Sequence, residues 1–414
     1  MIQKIKGTTD FYPEDQFICD YIYYNLKSVA EKFCFQRVEP PMIESIELLT
    51  AKSGDEIKNQ IFTIEKKGKE ALGLRFEFTA SVARMFAEKQ KALIKPVKWY
   101  SFNRLWRYER PQAGREREFF QFNCEIYGSS SSKSDSELII LAVECLKSLK
   151  LRENDFVVRI NNRKLLMGLL TDIIDEDCID KVLRVIDKKE KISKEDFYNE
   201  LNFLDIKQIE KIENLFELKL ENFKNYNLNS VAKEGFNSLI KIFENIRKVG
   251  YSNVMFDMSI VRGLDYYTGT VFEIFDIKKK FRAICGGGRY DNVIGEFGGT
   301  DTCATGFAIG YSTLNLLLES KKLIPKYEQN IDYFIVLINE DFVSDVFLIA
   351  NKLRKKYDVL FDLTNKTIQK QLKFASKVNA KKIIFVGEDE IKTKKYKILD
   401  LNTKKTEFKK LDEI

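Results

Sequence analysis

Five arginines lie within fourteen residues of the segment VKWYSFNRLWRYERPQAGREREFFQFNCEIYG, residues 97–128: Arg104, Arg107, Arg110, Arg115 and Arg117. Two strand-like stretches flank a charged loop that contains glycine, and alternation would put Arg107 and Glu109 on one face of the first strand. A guanidinium on a rigid strand can hold a phosphate through two parallel hydrogen bonds. A hairpin with surface ion pairs would explain an isolated Arg–Glu pair but explains this density poorly. We therefore predict that the segment binds an anionic ligand.

A second group of candidate residues lies in VRGLDYYTGTVFE, at residues 261–273. Gly263 would permit a tight backbone, and the adjacent Tyr266 and Tyr267 would point to opposite faces of a strand. Paired tyrosines are also common in hydrophobic cores, so the pattern alone leaves both interpretations open. The glycine run in AICGGGRYDN, residues 283–292, would let a ligand approach the backbone closely, although hinges and turns use the same residues.

The chain contains no histidine among its 414 residues. This excludes Ser-His-Asp and Cys-His catalysis and removes the commonest zinc ligand. The seven cysteines are dispersed without a CxxC pair, so free thiols are expected and no metal site built from protein clusters is predicted. Catalysis must therefore rely on carboxylates, lysine or arginine, backbone dipoles, a bound metal or the substrate itself.

Both groups of residues resemble signature sequences of one enzyme family. RYERPQAGREREFFQFNCE resembles the second motif of class II aminoacyl-tRNA synthetases in its histidine-specific form, and RGLDYYTGTVFE resembles the signature confined to histidyl-tRNA synthetases. Three shorter strings agree: KGTTDFYPED, LRFEFTASVAR and EPPMIE. The last is similar to the first class II motif, which implies that Pro41 lies at a dimer interface. The resemblance implies a homodimeric histidine–tRNA ligase that uses ATP with Mg²⁺, L-histidine and histidine tRNA.

The resemblance also implies roles for the matching residues. Arg107 and Arg262 would be catalytic at the α-phosphate of ATP, and Arg107 would also hold the substrate carboxylate. Glu109 would meet the adenine amino group. Gln112 and Arg117 would approach the acceptor end of the tRNA. At L-histidine, the imidazole pocket would be formed by Glu125, Tyr266 and Tyr267, and the α-amino site by Glu77, Thr79 and Gln121.

The sequence departs from the family pattern in two places. Phe120 stands where bacterial members commonly carry histidine, which points to an archaeal-like variant. In GFAIGYSTLNLLLE, residues 306–319, Ser312 and Thr313 replace the Glu-Arg pair of the third class II motif, whose arginine holds the γ-phosphate of ATP. Either ATP binds weakly, or another arginine compensates: Arg84, Arg115 or Arg289. Two further alternatives stay open, a catalytically impaired paralogue that acts as a regulatory subunit of histidine biosynthesis, and a non-enzymatic tRNA-binding protein.

The helices and strands inferred from the sequence, which must position these residues, indicate an α+β protein. The resemblance implies a class II synthetase antiparallel sheet flanked by helices in residues 1–163 and 249–325, with motifs 1 and 2 in the first part and motif 3 in the second. A Lys/Glu-rich helical insertion is predicted at 164–248. Residues 328–414 alternate as β-α-β-α-β, which predicts a small parallel sheet in a C-terminal α/β domain of the anticodon-binding type.

Apolar periodicity and turn residues predict further elements in the first 325 residues. The predicted helices are 14–36, 80–91, 134–150 and 310–321. The predicted strands are 35–44, a hairpin over 61–79 around Gly68, 97–110 with 119–128, 155–161, and paired strands within 258–275.

The net charge and the pattern of apolar residues limit which partners and which cell compartment we expect for the protein. Residues 331–414 hold 18 Lys or Arg against 13 Asp or Glu, so +5 of the chain's net charge of +7 lies there. This balance suits an RNA partner, although a solvated lysine-rich face would give the same count. No apolar run approaches membrane-spanning length and the first residues lack a signal-peptide core, so we expect a cytoplasmic protein without a membrane partner.

Overall fold

The computed structural model describes residues 2–51, 58–65, 68, 70–262, 266–329 and 331–414. Gly263, for which a tight backbone is predicted, lies outside the described residues. The chain forms two compact units, Met1–Pro325 and Lys326–Ile414. Among the helices that the structure describes, none combines the length and the apolar character needed to cross a bilayer.

The strands of the first unit are β1 (Gln36–Arg37), β2 (Ile43–Ser45), β3 (Thr63–Ile64), β4 (Leu72–Leu74), β5 (Val97–Trp106), β6 (Glu118–Tyr127), β7 (Phe156–Asn162), β8 (Val254–Phe256), β9 (Thr270–Asp276), β10 (Cys285–Arg289) and β11 (Ala304–Gly310). Eight of them form one sheet in the order β1-β5-β6-β11-β10-β9-β7-β8, and β2-β4-β3 form a small second sheet. All pairs in the large sheet are antiparallel except β1–β5 and β7–β8. The predicted antiparallel sheet is therefore confirmed.

The helices of the first unit are α1 (Pro13–Lys32), α2 (Ile46–Thr50), α3 (Thr79–Lys89), α4 (Ser132–Ser148), α5 (Arg163–Leu170), α6 (Ile179–Lys188), α7 (Lys194–Glu200), α8 (Ile206–Leu215), α9 (Ser230–Val249), α10 (Val293–Glu296) and α11 (Tyr311–Ser320). Short 3-10 helices are Glu153–Asp155, Glu176–Cys178, Lys189–Lys191 and Leu220–Asn225. The predicted helical character of 164–248 is confirmed by α5 to α9.

The two faces of the large sheet have different partners because side chains alternate along β6. Phe122, Cys124 and Ile126 belong to a core that also contains Leu26 of α1 and Leu138 of α4. The intervening side chains of β6 face the opposite side. On the opposite face, Tyr127 stacks on Phe86 of α3 with ring centres 4.6 Å apart, whereas Gln121, Asn123 and Glu125 form a polar row.

Local structure agrees with the predictions in part. The short strand predicted within 35–44 and ended by Pro40 and Pro41 is β1, and the residues after the prolines begin β2 of the second sheet. Within 258–275, where paired strands are predicted, the described residues form a single strand, β9. Residues 258–260 instead form a loop, in which the carbonyl oxygens of Met258 and Ile260 accept hydrogen bonds from Nδ2 of Asn161 at 3.0 and 2.9 Å. A side chain therefore satisfies the loop carbonyls that a neighbouring strand would otherwise have bonded.

The prediction that Arg107 and Glu109 share a strand face is wrong. Strand β5 ends at Trp106, and a tight turn follows in which the Glu109 amide donates to the Arg107 carbonyl at 2.8 Å. The charged loop begins earlier than alternation suggests, because Pro111 cannot donate to a strand ladder.

The second unit contains β12 (Ile331–Leu337), α12 (Val343–Leu353), β13 (Val359–Phe361), α13 (Ile368–Lys377), β14 (Ala380–Val386), α14 (Glu388–Thr393), β15 (Tyr396–Asp400) and β16 (Thr406–Lys409), with 3-10 helices Glu340–Phe342 and Leu411–Glu413. Its sheet order is β13-β12-β14-β15-β16. The first three strands are parallel, as predicted. The last two strands, β15 and β16, pair antiparallel and lie beyond the predicted β-α-β-α-β pattern.

Candidate active site

A row of polar side chains on β6 forms the floor of a cavity. Gln121, Asn123 and Glu125 alternate along the strand, so they share one face. Their register partners on β11 are Gly310, Ala308 and Gly306. These partners are small, and a Cβ atom added to Gly306 would lie only 2.8 Å from Cγ of Glu125. The pairing of polar residues with glycine and alanine therefore leaves room for a ligand above the sheet.

The cavity holds about 430 Å³ of empty space, including the solvent at its mouth, and gathers residues from six separate segments of the sequence. The predicted site residues that line it are Glu77, Thr79, Arg107, Gln121, Glu125, Arg262, Tyr266 and Tyr267. Its other lining residues are Asn123, Gly286, Tyr290, Gly306, Phe307 and Ala308. All residues predicted at L-histidine thus lie together, with both predicted catalytic arginines.

Two carboxylates give the cavity its acidic character. Burial raises the pKa of Glu77 to about 7, although the nearby Arg107 guanidinium lowers it. Burial also raises the pKa of Glu125 to about 8, against the lowering influence of the Tyr127 hydroxyl. Neither carboxylate is matched by a direct ion pair in the described residues. The ionised forms of Glu77 and Glu125 therefore raise the free energy of the folded protein when no ligand is bound. A ligand with positively charged or N–H groups would offset this destabilisation.

Two arginines bring positive charge to the same cavity. Nε of Arg107 donates to the Phe76 carbonyl at 3.1 Å, and its guanidinium lies 5.3 Å from the ring centre of Phe119. Arg262 forms an ion pair with Glu273. Although burial lowers the pKa of Arg262, Tyr267 and Glu273 raise it above its usual value. Both guanidinium groups are therefore fixed, which suits a ligand with a phosphate or carboxylate.

Three tyrosines form an aromatic wall. The ring centres of Tyr266 and Tyr267 are 4.8 Å apart, and Tyr290 lies 5.6 Å from Tyr266 and 6.4 Å from Tyr267. The prediction that Tyr266 and Tyr267 point to opposite faces of a strand is wrong. Both precede β9, where the chain turns, and both line the cavity.

The predicted loop ligands of ATP and tRNA lie beyond the cavity lining. Glu109 and Arg115 form an ion pair with each other. Gln112 and Arg115 bridge the loop through backbone hydrogen bonds of 3.0 and 2.8 Å. Nε of Arg117 donates to the Glu109 carbonyl at 3.0 Å, and its guanidinium lies 4.3 Å from the ring centre of Tyr108. The loop thus forms a compact turn that holds one internal ion pair, Glu109 with Arg115.

The two other arginines considered for ATP have different surroundings. Arg289 is buried beside Asp135, at 3.0 Å, and Asp291, at 3.2 Å, and it donates to the Ser129 carbonyl at 2.8 Å. Arg84 pairs with Glu44 at 3.2 Å. The structure does not bring Arg289 to the cavity. Its contacts fit a structural ion pair that joins β10 to the start of α4.

Thr313, which stands in place of the family arginine, lies under the charged loop. Gly114 has a φ of +72°, and a Cβ atom there would lie 3.2 Å from Oγ1 of Thr313. Beside this contact, Ser312 and Thr9 both donate to the Glu116 carboxylate at 2.6 Å. The loop and α11 therefore meet closely where the arginine would project.

Sequence reasoning missed Asn123 and Tyr290 as cavity residues. Alternation between Gln121 and Glu125 could have identified Asn123, whereas the position of Tyr290 depends on tertiary packing. Within the described part of the chain, no hydrogen-bond partner reaches the buried Oδ1 of Asn123. The same described residues contain no group of three or more Cys, Asp or Glu arranged to hold a metal.

Comparisons with known proteins agree with this geometry. Residues 7–314 match the protein family described as histidyl-tRNA synthetase, and residues 332–414 match the anticodon binding domain. The chain is 35% identical over 411 residues to a histidine–tRNA ligase of Leptospira biflexa, covering 96% of this chain and 93% of the relative. It is 36% identical to that of Pyrococcus furiosus, covering 100% and 98%. A crystal structure of histidyl-tRNA synthetase from Nostoc sp. PCC 7120 has the same fold, with a TM-score of 0.80 at 24% identity, covering 100% and 98%.

Proposed function

The chain belongs to the histidyl-tRNA synthetase family, and from this premise we propose that it is a histidine–tRNA ligase. It would activate L-histidine with ATP to histidyl-adenylate and transfer the histidyl group to the 3′ end of histidine tRNA. One observation carries the proposal: two carboxylates, the partly buried Glu77 and the buried Glu125, share a cavity with Arg107 and Arg262. No observation favours the regulatory or purely tRNA-binding alternative.

L-Histidine matches the charges and hydrogen-bonding groups of the cavity. Its imidazole N–H would donate to Glu125, and Tyr267 would lie at the ring. Its α-ammonium group would bind at Glu77, with Thr79 and Gln121 beside it. Both carboxylates would then gain partners, which offsets the cost of their burial. An amino acid without a ring nitrogen would leave Glu125 unmatched, so the same arrangement supports specificity.

Adenylate formation would use the arginines. The carboxylate oxygen of histidine attacks the α-phosphorus of ATP, a new P–O bond forms, and the bond to the β-phosphate oxygen breaks to release diphosphate. Negative charge accumulates on the α-phosphate oxygens, where Arg107 and Arg262 would stabilise it. Mg²⁺ would arrive with the ATP phosphates, because no cluster of protein ligands is present in the described residues. Such a step needs positioning and positive charge more than a general base, which is consistent with a chain that lacks histidine.

The remaining family roles complete the proposal. Glu109 would bind the adenine amino group, Arg115 the ATP phosphates, and Gln112 with Arg117 the tRNA acceptor end. The second unit would bind the anticodon, and two chains would form a homodimer in the cytoplasm. The family match over residues 332–414 and the net positive charge of that unit support the tRNA part. The internal pairing of Glu109 with Arg115 requires that ATP displace this ion pair.

The test is exchange of labelled diphosphate into ATP, which reports the first step without tRNA. We expect exchange that depends on L-histidine and that other amino acids do not support. Charging of histidine tRNA should then follow. Absence of exchange at saturating ATP and histidine would exclude a ligase. In that event, filter binding of histidine tRNA would separate a tRNA-binding protein from a regulatory subunit.

A further inference from the structure

Arg262 is surrounded by Tyr267 and by two residues without an assigned role, Glu273 and Gly286. Its backbone has a φ of +65°, in the left-handed region that costs energy for a residue with a side chain. Its guanidinium lies against Gly286, where an added Cβ atom would be 2.6 Å from Cζ and 3.0 Å from Nη2. The Tyr267 ring centre lies 6.0 Å from Cζ. The side chain is thus confined by a glycine of β10 and an aromatic ring.

Glu273 fixes the remaining freedom of this guanidinium. It pairs with Nη1 of Arg262 and is the direct register partner of Gly286 across β9 and β10. The carboxylate and the glycine therefore lie side by side on rigid strands, one holding the guanidinium and the other leaving space for it. Glu273 does not line the cavity, so any effect on the reaction must pass through Arg262.

The ion pair leaves part of the guanidinium unused. Among the described residues, Nε of Arg262 is buried and has no hydrogen-bond partner. A buried donor without a partner is costly unless a ligand satisfies it. The arrangement commits Nη1 to Glu273, while the residue itself lines the cavity in which a ligand would bind.

We propose that Glu273 and Gly286 act as positioning residues that hold the Arg262 guanidinium at the reacting phosphate. This inference rests on the proposed function, because it assigns Arg262 to the α-phosphate. Glu273 fixes the orientation of the fork, and the missing side chain at Gly286 permits its approach. A displacement of about 1 Å in such a group can reduce a rate by about 100-fold.

Two substitutions disturb Arg262 in different ways. Glu273→Gln removes the charge of the ion pair and keeps the shape of the side chain. Gly286→Ala adds a methyl group where the guanidinium lies, and alanine suits the backbone because Gly286 has no positive φ. Each variant should lower kcat of diphosphate exchange by about 10- to 100-fold, with KM for histidine changed by less than about threefold. Glu273→Asp keeps the charge and should recover part of the lost rate.

A double-mutant cycle separates positioning from a structural role. In an Arg262→Ala background, Glu273→Gln should cause no further loss of kcat, because its route to the phosphate is already gone. The matched control is Glu137→Gln, which breaks the ion pair with Lys98, at 2.6 Å, away from the cavity and should leave exchange unchanged. Independent, multiplicative losses from Arg262→Ala and Glu273→Gln would overturn the proposal.

Failure of the proposed function gives a different result. If the unmodified protein shows no histidine-dependent exchange, the ligase assignment fails irrespective of these variants. Crystal structures of Glu273→Gln and Gly286→Ala then decide the positioning proposal without any activity. The expected result is a guanidinium displaced from its place beside residue 286. A guanidinium that stays in place in both variants would refute the proposal.

Discussion

Replacing Glu125 with glutamine should stabilise the unliganded protein while abolishing its affinity for L-histidine. The Glu125 side chain is buried on β6 and is 2% exposed. Burial raises the pKa of its carboxyl from 4.5 to about 8. Glutamine has nearly the same shape, carries no charge and can hydrogen-bond the neighbouring tyrosine hydroxyls. The substitution therefore removes the cost of ionisation, and it also replaces the carboxylate proposed for the imidazole N–H with a neutral amide that keeps only one acceptor oxygen.

The size and pH dependence of this gain follow from the shifted pKa. Below about pH 4.5 the carboxyl is protonated in both folded and unfolded chains, so it costs nothing. As pH rises towards 8, the unfolded chain has released its proton while the folded protein retains it, so wild-type stability falls. The full shift corresponds to about 5 kcal/mol at about 1.4 kcal/mol per pKa unit. Because relaxation and water entry reduce such costs, we expect a gain of about 2 to 5 kcal/mol above pH 8.

The assay is urea unfolding of wild type and Glu125→Gln at several values from pH 5 to pH 8.5, with histidine binding measured by calorimetry. The stability difference should be small at the acidic end and grow with pH, while histidine binding is lost. Glu137→Gln is the matched control on a partly exposed ion pair with Lys98 and should change stability by less than about 1 kcal/mol at every pH. A Glu125→Gln protein that is less stable than wild type at pH 8.5, or equally stabilised throughout, would refute the reasoning.

Three further substitutions test the rest of the cavity. Glu77→Gln should weaken histidine binding relative to wild type, and the difference should grow from about pH 6 to pH 8, because burial raises the pKa of Glu77 to about 7 and its carboxylate forms over that range. Calorimetry measures this difference, and a loss of affinity that does not depend on pH would contradict it. Arg107→Lys should slow diphosphate exchange by about 100- to 1,000-fold, since an ammonium cannot reproduce the guanidinium fork; rates near wild type would remove Arg107 from the reaction. Thr313→Arg should lower the melting temperature without improving KM for ATP, because Gly114 occupies the space that the new side chain needs. A lower KM for ATP would contradict this and show that the charged loop moves away, and Thr313→Ser is the control.

Patterns that depend on local geometry were predictable from the sequence. The 3.6-residue period of apolar side chains identified α1, and the alternation in FFQFNCEIY identified β6. The ends of elements were less predictable. Alternation continues past Trp106 in the sequence, yet the strand stops there because Pro111 and the backbone bond from Glu109 to Arg107 impose a turn. The antiparallel pair β15–β16 was missed because its short strands resemble a polar tail.

The members of the cavity were predictable where they share a strand or a family motif. Gln121 and Glu125 required only alternation and the resemblance to a known motif. The environment of Arg289 was not predictable, because its partner Asp135 lies 154 residues away in the sequence. The same holds for Tyr290, which reaches the site only when β10 pairs with β9 and β11. Long-range pairing, not residue type, decides which arginines and tyrosines face the ligand.

The replacement of the family arginine by Thr313 is coupled to the position of the charged loop. Gly114 adopts a φ of +72°, which favours glycine, and this turn brings the loop backbone against Thr313. A long cationic side chain at 313 and the loop in this position would compete for one space. The loop also carries Arg115, paired with Glu109. For Glu109 and Arg115 both to contact ATP as proposed, their ion pair must open when the adenine amino group binds the Glu109 carboxylate. The Arg115 guanidinium would then be released near Thr313, the position at which the family carries its arginine.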